Sequence, residues 1–375
     1  MTNNLSVSDY DFTKIPFDDI IQVGQRTLLY RDLFTVSWLL GRYCNYRCSY
    51  CWPYARSDTK DHRPTELCLK TIDEIKRQAR DNGFNSFHFS LSGGEPTFHP
   101  GYLDILKHLS DDVPNTNYTS IHMTSNCSRP MKWFETYIDY AKPFHRASIT
   151  ASLHTEHLNT VEKMQEFADK LIFCQENDVQ ITINMVMVPE QFNRDYDNAL
   201  FFHNQGINVT LKPQSDPTAS RVVDGYTEEQ MKKLWNGMPQ RAYTESKRTT
   251  VRPLPKFQIP INTIGENDKS VPAHMQVEFT DKYGKKWYMD QAERFNAFGF
   301  NKFKGWECNS GFQGIVIREP DGSIKRSYSC NDVPLGNIET SFNLFDKPKE
   351  CISPSCVSSA DSKIPKRRNN YEFRE

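Results

Sequence analysis

The sequence lacks a long apolar run and an excess of charge of either sign. No stretch approaches the ~18 apolar residues that a membrane span needs, and residues 1–19 are polar, without the apolar core of a signal peptide. The formal net charge of the 375 residues is −1, so no global basic field favours nucleic acid as a partner. We therefore expect a cytoplasmic protein that binds neither a membrane nor nucleic acid.

Cysteine, by contrast, is present ten times. In a chain of this size without a signal peptide, that number favours metal ligation over disulfides. Cys44, Cys48 and Cys51 form a C-x₃-C-x₂-C pattern just after the predicted strand Phe34–Leu40. Three thiolates at this spacing can hold three irons of a cubane cluster and leave the fourth iron open. A structural zinc site is the alternative, although zinc usually takes four ligands and no second cysteine pair lies close by in the sequence.

A second motif, Gly93-Gly94-Glu95-Pro96, follows the predicted strand Ser86–Leu91. Two adjacent glycines allow close backbone approach and unusual φ values, and a proline stiffens the exit from the turn. Alone, these four residues could be an ordinary turn. These four residues lie about forty positions after the three cysteines, and the two motifs together are far more specific than either one.

This pair of motifs resembles that of the radical S-adenosylmethionine (SAM) enzymes, in which the open iron of a [4Fe–4S] cluster chelates SAM. The resemblance implies that Cys44, Cys48 and Cys51 are the catalytic cluster ligands. It also implies that Glu95 is the likeliest contact of the SAM amino group. Cys127 is a departure, because it stands where the family often has a glycine. The residues predicted to bind the cofactor are Tyr50, Gly93, Gly94, Glu95, Pro96, Ser125, Asn126, Ser152 and Asn184.

Strand and helix patterns alternate through the first part of the chain, which predicts a parallel sheet with helices outside it. The predicted strands are Phe34–Leu40, Ser86–Leu91, Ser120–Thr124, Arg146–Ser152, Gln180–Val188 and Asn208–Leu211. The predicted helices are Glu66–Asp81, Tyr102–Leu109, Met131–Tyr140, Leu158–Glu176 and Asn193–Asn204. Six units are too few for an eight-stranded barrel. The resemblance implies an α/β fold, a partial (β/α)₆ radical SAM barrel that is open on one side.

Four further cysteines near the C-terminus form the second set. Cys308, Cys330, Cys351 and Cys356 flank or follow a predicted hairpin over residues 314–325, and four thiolates can close a cubane cluster completely. The arrangement resembles the twitch domain, the short form of the SPASM extension. It implies a small C-terminal α+β domain that holds an auxiliary [4Fe–4S] cluster. Zinc is the alternative for four cysteines.

These observations predict five segments of the chain. They are an N-terminal extension (1–30), the radical SAM partial barrel (31–225), a bridging or substrate-covering region (226–305), the twitch-like domain (306–357) and a mobile tail (358–375). Cys68 and Cys174 lie in apolar patterns and are assigned to packing.

The function that the resemblance implies is reductive cleavage of SAM to a 5′-deoxyadenosyl radical, which takes a hydrogen atom from a C–H bond of the substrate. The auxiliary cluster implies net oxidation, and a reductant such as flavodoxin or ferredoxin is the expected partner. We expect a small-molecule substrate, a sugar being one class. A ribosomal-peptide maturase and a non-catalytic iron–sulfur or zinc protein remain the alternatives.

Overall fold

The structure is a computed structural model that describes residues 15–29, 32–52, 54–217, 221–239, 277–289, 299–330 and 334–369. In these residues the strands are β1 (Ile20–Gln25), β2 (Leu33–Leu39), β3 (Ser86–Ser92), β4 (Tyr118–Ser125), β5 (Arg146–Leu153), β6 (Val179–Met187), β7 (Asn208–Pro213), β8 (Val277–Asp281), β9 (Lys286–Met289), β10 (Trp306–Cys308), β11 (Gly314–Ile317), β12 (Ser323–Lys325), β13 (Gly336–Asn337), β14 (Lys349–Glu350) and β15 (Lys366–Arg368). The helices are α1 (Arg26–Leu29), α2 (Thr65–Asp81), α3 (Tyr102–Asp111), α4 (Met131–Ala141), α5 (Val161–Glu176), α6 (Phe192–Asn204), α7 (Glu228–Asn236) and α8 (Ser359–Ser362).

Six parallel strands form the centre of the molecule. Strands β2 to β7 pair in chain order, and α2 to α6 connect them one by one. In the described part of the chain, β7 has no partner on its outer side, so this sheet ends there. The predicted α/β fold with six strand–helix units is confirmed.

The predicted barrel elements differ from the observed ones by at most three residues at either end. The largest difference is at α5, which was predicted from Leu158 and begins at Val161. The hydroxyl of Thr160 accepts a hydrogen bond from the backbone N–H of Lys163 and so caps the helix. The chain before this cap is not helical.

The two faces of the parallel sheet differ in chemistry. Phe87, Phe89 and Leu91 of β3 are fully buried against the helices, whereas the alternate residues His88 and Ser92 lie on the other face and are half-buried. The other strands repeat this alternation, because successive side chains of a strand point to opposite faces. The apolar face forms the main hydrophobic core.

A second, antiparallel sheet has the strand order β14-β10-β15-β1-β8-β9. It joins segments from both ends of the chain, since β1 pairs with β15 on one side and with β8 on the other. Strands β8 and β9 form an antiparallel hairpin. Residues 358–369 of the predicted mobile tail form α8 and β15. Lys366 of β15 is buried, whereas the next residue, Arg367, is exposed.

The C-terminal hairpin of β11 and β12 is confirmed, and its place in the fold was not foreseen. Strand β11 pairs in parallel with β2, and β12 and β13 continue the same sheet. All four residues of β11 are buried, so this short apolar strand covers what would otherwise be an open edge of the barrel sheet. The segment 306–357 is therefore continuous with the barrel through its hydrogen bonds.

None of the helices within the described ranges has the length and apolarity of a membrane span.

Candidate active site

The cysteine loop begins directly after β2, at the carboxyl end of the first barrel strand. Cys48 is buried, and Cys44 and Cys51 are half-buried. The backbone N–H of Cys51 donates to the carbonyl of Cys48 at 3.1 Å, and that of Cys44 donates to the carbonyl of Ser57 at 3.3 Å. The first hydrogen bond closes a tight turn within the loop, and the second joins its beginning to the chain that follows it.

The Gly93-Gly94 turn packs directly against the chain that leads into this loop. Gly94 N–H donates to the carbonyl of Gly41 at 3.0 Å. A Cβ atom on Gly93 would lie 2.3 Å from the Gly41 oxygen, and one on Gly94 would lie 2.2 Å from the Arg42 oxygen. Both glycines are therefore required by the approach of two backbones, which locks the two motifs together.

Glu95 connects this turn to the end of β4. Its Oε1 accepts hydrogen bonds from Thr97 N at 3.1 Å, Thr97 Oγ1 at 2.6 Å and Ser125 Oγ at 2.8 Å. Its Oε2 accepts one from Asn126 N at 2.6 Å. Burial raises the pKa of this carboxyl, and the donated hydrogen bonds act in the opposite direction. The predicted contact of Glu95 with SAM stays a prediction, and the carboxylate has a structural role as well.

Asn126 and Cys127 follow β4 at the same end of the barrel. The Asn126 amide nitrogen lies 2.9 Å from Asn45 Oδ1 and 3.9 Å from Cys44 Sγ, so it contacts the cysteine loop. Cys127 has a φ of 51°, in the left-handed region that favours glycine. The chain at this position keeps the glycine-like backbone although the residue is a cysteine.

A cavity of about 540 Å³ opens between these elements. The predicted residues that line it are Cys44, Cys48, Cys51, Tyr50, Gly93, Gly94, Glu95, Ser125, Asn126, Ser152 and Asn184. Ser152 and Asn184 are adjacent partners on β5 and β6. Pro96 is buried and is not among the lining residues. Lys212 and Gln214, at the end of β7, complete the far wall.

Sequence reasoning missed the segment after β5 that holds the cysteine loop. Glu156 Oε2 accepts a hydrogen bond from Ser49 N at 2.8 Å, and His157 Nε2 accepts one from Arg47 N at 3.2 Å. The ring of His157 also stacks on Tyr46 with centroids 4.0 Å apart. The rule that sites lie at the carboxyl ends of barrel strands could have found these residues, since Glu156 lies three residues after the end of β5.

Electrostatics in the cavity oppose a free thiolate. Burial raises the pKa of the Cys44 and Cys51 thiols and that of Cys48 to about 12. The Tyr50 hydroxyl lies 2.8 Å from His154 Nδ1, and burial lowers the pKa of this imidazole to about 4. A bound metal deprotonates a coordinating thiol. The three cysteines thus suit metal ligation better than nucleophilic chemistry.

The four C-terminal cysteines are buried in the second unit, by which we mean the C-terminal residues 299–369 that carry β10 to β15. Cys308, Cys330, Cys351 and Cys356 are each at most 3% exposed and form no disulfide. Cys351 N–H donates to the carbonyl of Trp306, and Cys308, Cys351 and Cys356 share a hydrophobic cluster with that tryptophan. The backbone around them is thus held by β10 and its neighbours.

Zinc stays the alternative for the C-terminal cysteines. Tetrahedral zinc with Zn–S bonds of about 2.3 Å brings its four sulfurs to roughly 3.8 Å from one another. In the described part of the chain, one group offers three ligand atoms that all lie within 4.8 Å, and it is Cys48, Glu156 and His157.

A comparison with family models identifies the domain that carries this cavity. Residues 38–202 match the model of the Radical SAM superfamily, a range that contains both motifs and β3 to β6. The chain contains a radical SAM domain. Such a domain uses SAM and a [4Fe–4S] cluster, and the cysteine loop, the glycine turn and the polar strand ends all fall at this one cavity.

The chain matches no curated protein. Solved structures similar to it include native anSMEcpe with bound AdoMet, at 16% identity and a TM-score of 0.48. Another is native anSMEcpe with bound AdoMet and Kp18Cys peptide, at 15% identity and a TM-score of 0.48. Both alignments cover 83% of this chain and 79% of the other.

Proposed function

We propose that this radical SAM enzyme is an oxidoreductase that takes a hydrogen atom from a C–H bond of a small-molecule substrate, a sugar being one class. The observation that carries the proposal is the single cavity in which three cysteines face the Gly93-Gly94 turn and the polar ends of β4 to β6. Its volume of about 540 Å³ is in the range of sites for small molecules such as SAM.

Each motif has a stated task in this proposal. Cys44, Cys48 and Cys51 hold the first cluster, and the amide of Asn126 orients the loop beside Cys44. The polar groups at the strand ends, Ser152 and Asn184 among them, bind SAM. When bound, the cluster supplies the electron that cleaves SAM to methionine and a 5′-deoxyadenosyl radical.

The auxiliary site is the second part of the proposal. Cys308, Cys330, Cys351 and Cys356 hold a second [4Fe–4S] cluster, a ligand set supported by their number and by their shared burial. Such a cluster supplies an acceptor for the electron that a substrate radical loses on oxidation. A flavodoxin- or ferredoxin-like protein is the proposed reductant, and a reducing cytoplasm suits oxygen-sensitive clusters.

Iron content and SAM cleavage test this assignment together. We expect about eight irons per chain after anaerobic reconstitution, because each cubane holds four, and 5′-deoxyadenosine after addition of dithionite. Replacing Cys44, Cys48 and Cys51 by Ala abolishes cleavage and leaves about four irons. Replacing the four C-terminal cysteines by Ala also leaves about four.

Cys174→Ala is the matched control, because Cys174 is fully buried in α5 and belongs to neither set. It keeps all of the iron. If the wild-type chain binds iron and does not cleave SAM, the alternative of a non-catalytic iron–sulfur protein would replace the proposed enzyme. Loss of all iron in the triple variant would remove the second cluster from the proposal.

A further inference from the structure

The inner face of the barrel sheet is polar from its floor to the SAM cavity. The floor is a small apolar cluster of Leu28, Leu33 and Tyr118. Above it, the positions of β2 to β7 that face away from the helices are polar at every place except Leu39 and Val186. The charged ones are both cations, Arg146 at the start of β5 and Lys212 near the end of β7. A packed parallel barrel is instead filled with branched apolar side chains. This interior is therefore not a second hydrophobic core.

These inner side chains also keep accessible surface. Ser37, Ser90, Thr150 and Thr182 come from the middle of four different strands, and all are half-buried. Their neighbours on the outer face, such as Phe89, are fully buried. Polar side chains that retain accessible surface deep in a fold line a space that water enters. The barrel interior below the SAM cavity is thus a polar chamber with accessible surface, in which the Tyr328 hydroxyl lies 2.5 Å from Ser37 Oγ.

Two histidines project unpaired nitrogens into this chamber. His88 Nδ1 lies 2.8 Å from Ser120 Oγ, and His122 Nδ1 lies 2.8 Å from Ser148 Oγ. Neither Nε2 atom has a hydrogen-bond partner among the described residues. Burial lowers the pKa of His88 to about 3 and that of His122 to about 4, so both rings are neutral at neutral pH. Each ring can therefore offer one further hydrogen bond without bringing charge.

We propose that this chamber binds an uncharged, hydroxyl-bearing group of the substrate, with His88 and His122 as specificity residues that hydrogen-bond it through Nε2. The proposal rests on the proposed function and names the class of its substrate, a neutral sugar or cyclitol. Between Arg146 and Lys212, the chamber presents hydroxyl, amide and neutral imidazole groups, and these favour a ligand that can pair with each of them. An apolar ligand would leave those groups unpaired, and this costs binding free energy.

Chemical modification of the two histidines tests both the chamber and its ligand. The reconstituted holoenzyme with SAM is treated with diethyl pyrocarbonate, and the modified histidines are located by peptide mass spectrometry. We expect His88 and His122 to react in the free enzyme. We expect myo-inositol or glucose, at twice its Kd, to slow both reactions about threefold. His108, an exposed histidine that pairs with Asp73 on the protein surface, is the internal control and should not respond.

A filled chamber provides the matched variant. Ser90 lies on β3 next to His122 of β4, and Ser90→Leu places an apolar side chain between the two histidines. We expect this variant to keep its iron content and its Tm and to lose the protection by myo-inositol and glucose. Ser341→Leu adds the same side chain at an exposed loop position and should behave like the wild type.

Three results would overturn the proposal. Unreactive His88 and His122 would mean that the interior is closed. Protection by cyclohexanol and not by the polyols would show that the chamber binds ligands and would reject a polyol as the substrate class. Protection by trialanine and not by the polyols would reject it in favour of a peptide. Reactive histidines that no probe protects would reject the binding site. SAM cleavage by the same preparation is scored separately, so failure here is distinguishable from failure of the radical SAM assignment.

Discussion

At the residue scale, Glu95 is the group on which the candidate site depends most. The sequence suggested a cofactor contact, and the structure adds that its carboxylate accepts four hydrogen bonds from the turns after β3 and β4. Hydrogen bonds to a charged acceptor are stronger than those between neutral groups. Two turns that face the cysteine loop therefore share one acceptor, and the geometry of both depends on it.

Glu95→Gln is expected to lower the free energy of unfolding by about 2 kcal/mol. The new amide group is a donor, and in either orientation it faces a backbone or hydroxyl donor where the carboxylate had an acceptor. Denaturant unfolding of the reconstituted protein measures the change. Glu135→Gln, on the exposed face of α4, is the control. Equal stability of the two variants would contradict the role given to Glu95.

Cys127 shows what the sequence could not settle at this scale. The sequence has a cysteine where the family often has a glycine, and this weakened the assignment of the turn after β4 to the SAM site. Residue type alone does not show which φ the backbone adopts. The backbone nevertheless adopts a φ of 51°, and Cys127 N–H lies 2.9 Å from Ser125 Oγ. The surrounding hydrogen bonds hold the strained conformation.

At the element scale, the barrel was predictable and the second sheet was not. Strands β2 to β7 carry a clear two-residue alternation, and each is followed by a helical pattern, so period and order suffice to predict them. Strands β10, β14 and β15 have two or three residues each. Such short segments carry no periodic signal, and they pair with partners more than forty residues away in the sequence. The cysteines of the second unit were found by residue type instead.

Lys366 of β15 illustrates a feature that only this pairing reveals. It lies opposite Cys308 in the β10–β15 ladder and is 2% exposed. Its Nζ donates to the carbonyls of Asp361 at 2.6 Å and Ile364 at 2.9 Å, and no carboxylate among the described residues forms an ion pair with it. A buried positive charge thus lies beside the proposed auxiliary ligands.

Lys366→Met is expected to lower the reduction potential of the auxiliary cluster by tens of millivolts. One unit charge several Å away, at an effective ε of about 20, is worth roughly 1–2 kcal/mol, and its removal disfavours the more negative, reduced cluster. A redox titration followed by EPR measures the shift. Arg367→Met, an exposed neighbour that pairs with Glu307, is the control. An unchanged potential in Lys366→Met, with iron retained, would contradict this placement of the charge.

At the scale of the whole molecule, the two sheets are joined by segments that are far apart in sequence. Strand β1 lies between β15 and β8, and β11 pairs with the first barrel strand. The C-terminal unit therefore completes both sheets. The region from Val277 to Met289 contributes β8 and β9, whereas most of the predicted bridging region 226–305 lies outside the described residues.

The segment 358–369, predicted as part of a tail, is expected to be essential for the auxiliary site. The Asp361 carboxylate accepts hydrogen bonds from Tyr328 N at 3.1 Å and Ser329 N at 2.6 Å, directly before Cys330. Deleting residues 358–375 removes this carboxylate, Lys366 and the strand that joins β1 to β10. We expect reconstituted iron to fall from about eight to about four per chain. SAM cleavage should persist, because no hydrogen bond or ion pair joins the described residues of the cysteine loop to the described residues of this segment.

A deletion of residues 370–375 alone is the matched control for this prediction, since it keeps α8, β15 and the hydrogen bond from the Asn369 side chain to the carbonyl of Gly305. It should retain about eight irons, two full cubanes. Iron analysis and 5′-deoxyadenosine formation, measured on both truncated chains after the same reconstitution, provide the comparison. If the longer deletion also keeps all of its iron, then β15 and Asp361 are dispensable, and Cys330 is held in place by the remaining chain. If it loses all iron and does not cleave SAM, the two units fold only together.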